Sequence, residues 1–267
     1  MTSTESKNLR ELSPADVRRI GQPPAVLTRR NAEHWAGLLY LRKVSPYLTW
    51  AFLRTPLSPD GVTWLMIVAG LLGVVVLAAG GLWSAIVAVL LVNLYLLLDC
   101  CDGELARVKQ RFGVEGIYLD RFGHYVVEGG LVAALGVRAQ GGLLSGHVVG
   151  GWAELGAFAA LGAVLIKAET DLVDVARLRT GRTATTDDDL APRSSTVGAL
   201  RRIASLLQLN RLILAMELSI AALLVAIYDA AAGGLAATRV LLVVCAVIAA
   251  AFTVLHLASV LLSRRLK

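Results

Sequence analysis

The sequence predicts an all-α integral membrane protein, with six transmembrane helices preceded by an amphipathic interfacial helix. Composition is the first reason. Of the 267 residues, 56% are hydrophobic and 17% charged, and mean hydropathy is +0.66, whereas a soluble domain is about 45–50% apolar and about 25% charged. The second is clustering: the apolar residues gather into six long runs, and a spanning helix needs about twenty of them. These runs lack the apolar–polar alternation, over about ten residues, of outer-membrane barrel strands. The third is that lysine and arginine concentrate in alternate loops, as cytoplasmic loops of membrane proteins do.

Residues 1–32 are polar and basic with no sustained period. They are expected to form a cytosolic tail, in part disordered, without a cleavable signal peptide. Residues 33–54 mix Trp35, Tyr40, Tyr47, Trp50 and Phe52 with Arg42, Lys43 and Arg54, a composition suited to a helix lying in the membrane interface. Thr55-Pro56-Leu57-Ser58-Pro59 breaks that segment, and residues 55–267 form the six-helix domain. Its spans are expected at about 61–79, 83–101, 116–137, 149–171, 209–230 and 238–262, with glycine pairs at 80–81, 141–142 and 233–234 on one side of the membrane. The 172–208 loop, with Asp187-Asp188-Asp189, is expected to lead into a short amphipathic helix at about 197–207.

Orientation follows from the basic residues. The tail, the 102–115 loop (Arg107, Lys109, Arg111), the 172–208 loop (Arg177, Arg179, Arg182, Arg193, Arg201, Arg202) and the C-terminus (Arg264, Arg265, Lys267) are basic, while the opposite loops offer Arg138 and Arg239. Both termini are therefore expected in the cytoplasm of a cell bearing this chain in its inner membrane. The net charge of +6 is that of basic loops beside anionic lipid, and no nucleic-acid partner is expected. Cys100, Cys101 and Cys245 are an odd set with two adjacent members, which makes neither a disulfide framework nor the C-x2-4-C spacing of a zinc site.

One stretch, Leu98 to His124 (LDCCDGELARVKQRFGVEGIYLDRFGH), breaks the apolar pattern. Asp99 and Asp102 are three apart, Asp120 and His124 four apart, and on helices both spacings put the side chains on one face. If the two helices face each other, three carboxylates and an imidazole converge at the cytoplasmic end of the second and third spans. Carboxylates so crowded repel one another unless a cation holds them. Oxygen ligands favour Mg2+ or Mn2+ over zinc. A structural polar cluster at the helix ends is the competing explanation, and three acids within two apolar helices argue against it.

The pattern Asp99-x2-Asp102-Gly103-x2-Ala106-Arg107-x8-Gly116-x3-Asp120-x3-His124 resembles the signature of the CDP-alcohol phosphotransferase family, D-x2-D-G-x2-A-R-x8-G-x3-D-x3-D. It departs at the last position, where His124 replaces aspartate. Pro59-Asp60-x2-Thr63 is similar to the P-N-x2-T with which that family opens its first span, with Asp for Asn. The resemblance covers roughly residues 33–262. It implies a metal-dependent transferase that moves a phosphoryl-linked group from a CDP-activated donor to an alcohol acceptor and releases CMP. It further implies a pair of Mg2+ or Mn2+ ions on Asp99, Asp102 and Asp120, and a homodimer. The nucleotide would be held by Asp102, Gly103, Ala106, Arg107 and Gly116, with Asp60 and Thr63 beside them. A CDP-diacylglycerol donor and a polyol acceptor are the expected substrates; a CDP-linked head group delivered to a lipid alcohol is the reverse partition. The sequence does not identify the acceptor.

The resemblance makes the family's fourth aspartate its base, so His124 admits three readings, beside a coincidence of spacing in which another residue supplies the base. A neutral imidazole can be the general base in its place, working with Asp120. It can instead ligate a metal through nitrogen, which tilts preference away from Mg2+. Or the base is lost, and the chain is an inactive relative that binds nucleotide-lipid or a membrane partner. Further along, Glu128 lies one turn beyond His124 and is a candidate to orient the imidazole. Lys167 and Arg211 are candidates for an acceptor phosphate, or for pairing with Glu169 and Glu217.

Overall fold

The computed structural model describes residues 9–24, 36–146, 148–181 and 209–262. Every regular element among them is helical. The chain divides into two compact units, one of Met1–Leu72 with Leu90–His124 and one of Gly73–Val89 with Tyr125–Lys267.

Part of the segment expected to be a polar tail is helical. Helix α1, Pro14–Gly21, opens on a capping box in which Ser13 Oγ accepts from the Asp16 N–H and the Asp16 carboxylate accepts from the Ser13 N–H, with Pro14 where its missing N–H costs nothing. Val17 is fully buried, and the indole of Trp50 donates to the Leu12 carbonyl at 2.8 Å. The expected interfacial segment becomes a π turn at Gly37–Leu41 that runs into α2, Arg42–Phe52. Ser45, Pro46 and Thr49 of α2 are buried, while Val44 and Tyr47 are exposed.

The long helices follow. They are α3 (Pro59–Ala79), α4 (Gly81–Lys109), α5 (Val114–Gln140), α6 (Gly151–Arg179), α7 (Ala215–Ala232) and α8 (Ala236–Leu262). Five of them are long and apolar enough to cross a membrane: α3, α4, α6, α7 and α8. The chain is thus a multi-pass membrane protein. Helix α5, the third expected span, has 27 residues, about 40 Å at 1.5 Å per residue. Glu115, Asp120, Arg121, His124, Glu128 and Arg138 lower its hydropathy. Helix α4 continues eight residues beyond its expected end at 101 because Leu105 and Val108 remain buried there. The expected start of the fifth span is a 3-10 turn at Leu209–Ile213, ahead of α7. The acidic triplet 187–189, the helix expected at 197–207, Arg201 and Arg202 lie outside the described residues.

In the first unit Met66, Ile67, Val92, Tyr95, Leu105 and Leu119 are buried, and in the second Leu77, Leu131, Leu135, Leu218, Leu242 and Ala249. In the second unit α5 and α6 cross at Gly136 and Gly156, where a Cβ on Gly136 would lie 2.6 Å from the Gly156 Cα. Such small-residue crossings are how helices approach closely in lipid. Arg138, 2% exposed, donates to Ser84 Oγ and the Gly81 carbonyl, both at 2.9 Å. Arg239 donates to the Ala139 carbonyl and lies over the Trp152 ring. The two arginines expected on the outer side are therefore both tied into the protein.

Candidate active site

The site is built within the first unit by α3, α4 and the N-terminal half of α5. On α4 the i, i+3 spacing puts Asp99 and Asp102 on one face; on α5 the i, i+4 spacing does the same for Asp120 and His124. The connection, residues 110–113, is tied down by Lys109, whose Nζ donates to the Leu57 carbonyl at 2.6 Å. Between them lies a cavity of about 490 Å³. Its lining includes Asp99, Asp102, Gly103, Ala106, Arg107, Gly116, Asp120 and His124, so every defined position of the 99–124 pattern meets there. Pro59 and Asp60 of α3 line it as well.

Asp99, Asp120 and His124 offer three ligand atoms within 4.8 Å of one another. His124 Nε2 is 3.2 Å from Asp99 Oδ1 and 3.6 Å from Asp120 Oδ1. Two carboxylate oxygens and one imidazole nitrogen at this separation fit a divalent cation, and a nitrogen in the set suits Mn2+ and later transition metals better than Mg2+. Asp102, a turn beyond Asp99, accepts a 2.7 Å hydrogen bond from Thr63 Oγ1 on its Oδ2. Thr63 is 3% exposed; it meets the Asp102 carboxylate from behind and is not among the cavity-lining residues.

The glycines serve side chains of the site. A Cβ on Gly116 would sit 2.7 Å from Asp60 Oδ1, so Gly116 makes room for the Asp60 carboxylate. A Cβ on Gly103 would lie 3.2 Å from Arg107 Nη2 and 3.3 Å from Nη1, so the guanidinium lies against the α4 backbone there. Arg42, Arg111 and Arg121 add positive charge to the lining, and Phe112 and Ile117, both largely exposed, give it an apolar side.

Two groups near the pattern escape a reading of its defined positions. Tyr95 is fully buried, and its hydroxyl is 2.6 Å from His124 Nδ1 with the rings edge-on. Its signal was its place one turn before Asp99, but a tyrosine in an apolar helix reads as packing. Glu104 is an unassigned position of the pattern and is completely buried. Its carboxylate accepts from Gln22 Nε2 (2.8 Å), Ser45 Oγ (2.5 Å) and Thr49 Oγ1 (2.8 Å), with Arg42 Nη1 at 3.8 Å.

The acceptor candidates lie in the second unit. Lys167 Nζ is 2.8 Å from Glu128 Oε1, and Arg211 Nε is 3.4 Å from Glu217 Oε1. Glu169 meets His256 Nδ1 at 2.8 Å, and the Tyr125 hydroxyl donates to Asp171.

No family model matches the chain. A 90-residue stretch is 39% identical to a protein of Rubrobacter xylanophilus named bifunctional IPC transferase and DIPP synthase, covering 32% of this chain and 20% of that protein. The chain thus matches about a fifth of its relative's length.

Proposed function

We propose that the chain is a metal-dependent CDP-alcohol phosphotransferase, which transfers a phosphoryl-linked group from a CDP-activated donor to an alcohol and releases CMP. One observation carries this: residues 99–124 match the spacing of that signature, and all eight defined positions line a single cavity. The partial likeness to a protein named as a transferase and synthase agrees with it. The donor is CDP-diacylglycerol and the acceptor a polyol, which suits a cavity with an arginine-rich lining and an apolar side formed by Phe112 and Ile117.

Asp99, Asp102 and Asp120 would hold divalent ions, Mg2+ or Mn2+. Bound there, such ions offset the charge of the diphosphate and of the departing CMP. The chain's own groups do the rest. Arg107 opposes the diphosphate charge with a planar guanidinium. Asp60, Gly103, Ala106 and Gly116 shape the wall around the nucleotide. The acceptor oxygen attacks the phosphorus distal to cytidine as the bond to the CMP oxygen breaks, and the acceptor proton passes to His124 Nε2. With Nε2 accepting, the neutral ring carries its proton on Nδ1, where the Tyr95 hydroxyl 2.6 Å away is placed to accept it as a hydrogen bond. A second reading is favoured by the short spacing among Asp99, Asp120 and His124, namely that His124 is itself a metal ligand.

Helix α5 serves as the sixth span, with Glu128 and Arg138 buried, and the basic loops set the site toward the cytoplasm. The test is release of CMP from CDP-diacylglycerol by the purified protein with a panel of alcohols. Metal-dependent release that Asp99→Asn abolishes supports the proposal. Donor binding without CMP release for any alcohol would favour an inactive relative.

A further inference from the structure

Helix α1 ends at Gly21, and the last carbonyls of a helix lack partners within it. Arg107 Nε donates to the Gly21 carbonyl at 2.5 Å, so a cavity-lining arginine of α4 is fastened to a residue 86 positions earlier. Gly21 reaches that point because it has no side chain: a Cβ there would lie 3.1 Å from both Cβ and Cγ of Glu104.

The next residue locks the contact. Pro46 has no N–H, so the Arg42 carbonyl of α2 loses its helical donor. Gln22 Nε2 supplies the replacement at 2.8 Å and also donates to buried Glu104 at 2.8 Å. Gln22 is 6% exposed. Each of these bonds ends on α2 or α4, so the carbonyl of Gly21 is fixed relative to the helix that carries Arg107.

We propose that α1 with Gln22 is a positioning element for Arg107, holding the guanidinium against Gly103 in the orientation that receives the nucleotide diphosphate. An arginine that is already ordered loses less side-chain entropy on binding. The N-terminal segment is then part of the binding machinery, acting through Arg107 without touching the ligand. This rests on the nucleotide role assigned to Arg107 above.

The test uses the full chain and CMP with Mg2+ as the probe, followed by calorimetry. Gln22→Ala is expected to weaken CMP binding about tenfold, the scale of a hydrogen bond to a charged group. KM for CDP-diacylglycerol rises in parallel, and kcat at saturating donor is unchanged. Arg107→Ala weakens binding at least as much, and the double variant is no weaker than Arg107→Ala alone, since both act through one group. Full affinity in Gln22→Ala beside a loss in Arg107→Ala, or losses that add in the double variant, would overturn the positioning role. Full affinity in Arg107→Ala would overturn the nucleotide role of the arginine and the positioning role together. Should Gln22→Ala not fold, the wild-type protein decides. Coupling is reciprocal, so CMP should slow tryptic cleavage after exposed Arg18 and Arg19; an unchanged rate contradicts the proposal.

Discussion

The hydroxyl of Tyr95 lies 2.6 Å from Nδ1 of His124, and the opposite nitrogen of the same ring faces Asp99 at 3.2 Å. One imidazole is thereby held between a buried hydroxyl, which can donate or accept, and a carboxylate pair. Groups that orient a ligand or base in this way are worth about 10–100-fold when removed. Tyr95→Phe is therefore expected to lower kcat for CMP release by about tenfold to a hundredfold with little change in donor KM. His124→Ala should cost about 10²–10⁴-fold, the range of general acid–base catalysis. The double variant should be no slower than His124→Ala. An unaltered kcat in His124→Ala would remove the imidazole from the chemistry.

Base and ligand roles for His124 separate by metal preference. A nitrogen in the set shifts affinity from Mg2+ toward Mn2+ and later metals. If His124 is a ligand, His124→Asp restores an all-oxygen set and should move the preference back toward Mg2+. The measurement is Mn2+ binding by electron paramagnetic resonance in competition with Mg2+, for both proteins. A preference that does not move leaves the base role. Removal of divalent ions by a chelator should abolish turnover in either case, with recovery on adding metal back.

Gly116 and Asp60 are matched in volume. The 2.7 Å approach of a Gly116 Cβ to Asp60 Oδ1 means that Gly116→Ala must displace the carboxylate, and overpacking of this kind costs about 1–3 kcal/mol. Donor KM should rise about tenfold, since 1.4 kcal/mol is a factor of ten. Gly116→Ala combined with Asp60→Ala should be less impaired than the two losses added together. Kinetics of all three variants with CDP-diacylglycerol check this, and simple additivity would show that the two residues act apart.

The parts of the structure legible in advance are those that depend on local pattern. The apolar runs and glycine pairs locate the long helices to within a few residues at most ends, because burial of twenty apolar residues in lipid is a property of the run itself. The i, i+3 and i, i+4 spacings bring Asp99, Asp102, Asp120 and His124 to one cavity for the same reason. Helix α1 was not legible, because eight residues with one fully buried apolar side chain, Val17, do not form a helix unaided. Its order comes from Glu104, Arg107 and Trp50, all remote in sequence. Tyr95 and Glu104 were hidden by the opposite effect: each looks ordinary in its helix, and only the partner from another element gives it a role.

Glu104 gives a stability prediction. Its carboxylate is fully buried and accepts from three side chains. Replacing it with leucine removes the acceptor those three donors share, and breaking such a buried polar set costs about 3–5 kcal/mol. Glu104→Leu should lower the apparent Tm in detergent by several degrees, whereas Glu104→Gln, which keeps an acceptor oxygen, should lower it less. Equal Tm for the two variants would mean that the hydrogen bonds do not hold α1 and α2 to α4.

Lys167 and Glu128 offer the last test, because pairing and acceptor binding predict different outcomes. The pair is 2.8 Å apart, and the Glu128 side chain is 9% exposed. Lys167→Met removes the lysine partner of a buried carboxylate, which costs up to about 3–5 kcal/mol, while a pair replaced as a whole is often neutral. If pairing is the lysine's only task, Lys167→Met should be unstable, and Lys167→Met/Glu128→Gln should recover both Tm and acceptor KM. If the lysine also binds an acceptor phosphate, the double variant should recover Tm and keep a raised acceptor KM. Thermal unfolding of both variants, with acceptor titrations of CMP release, separates the two roles.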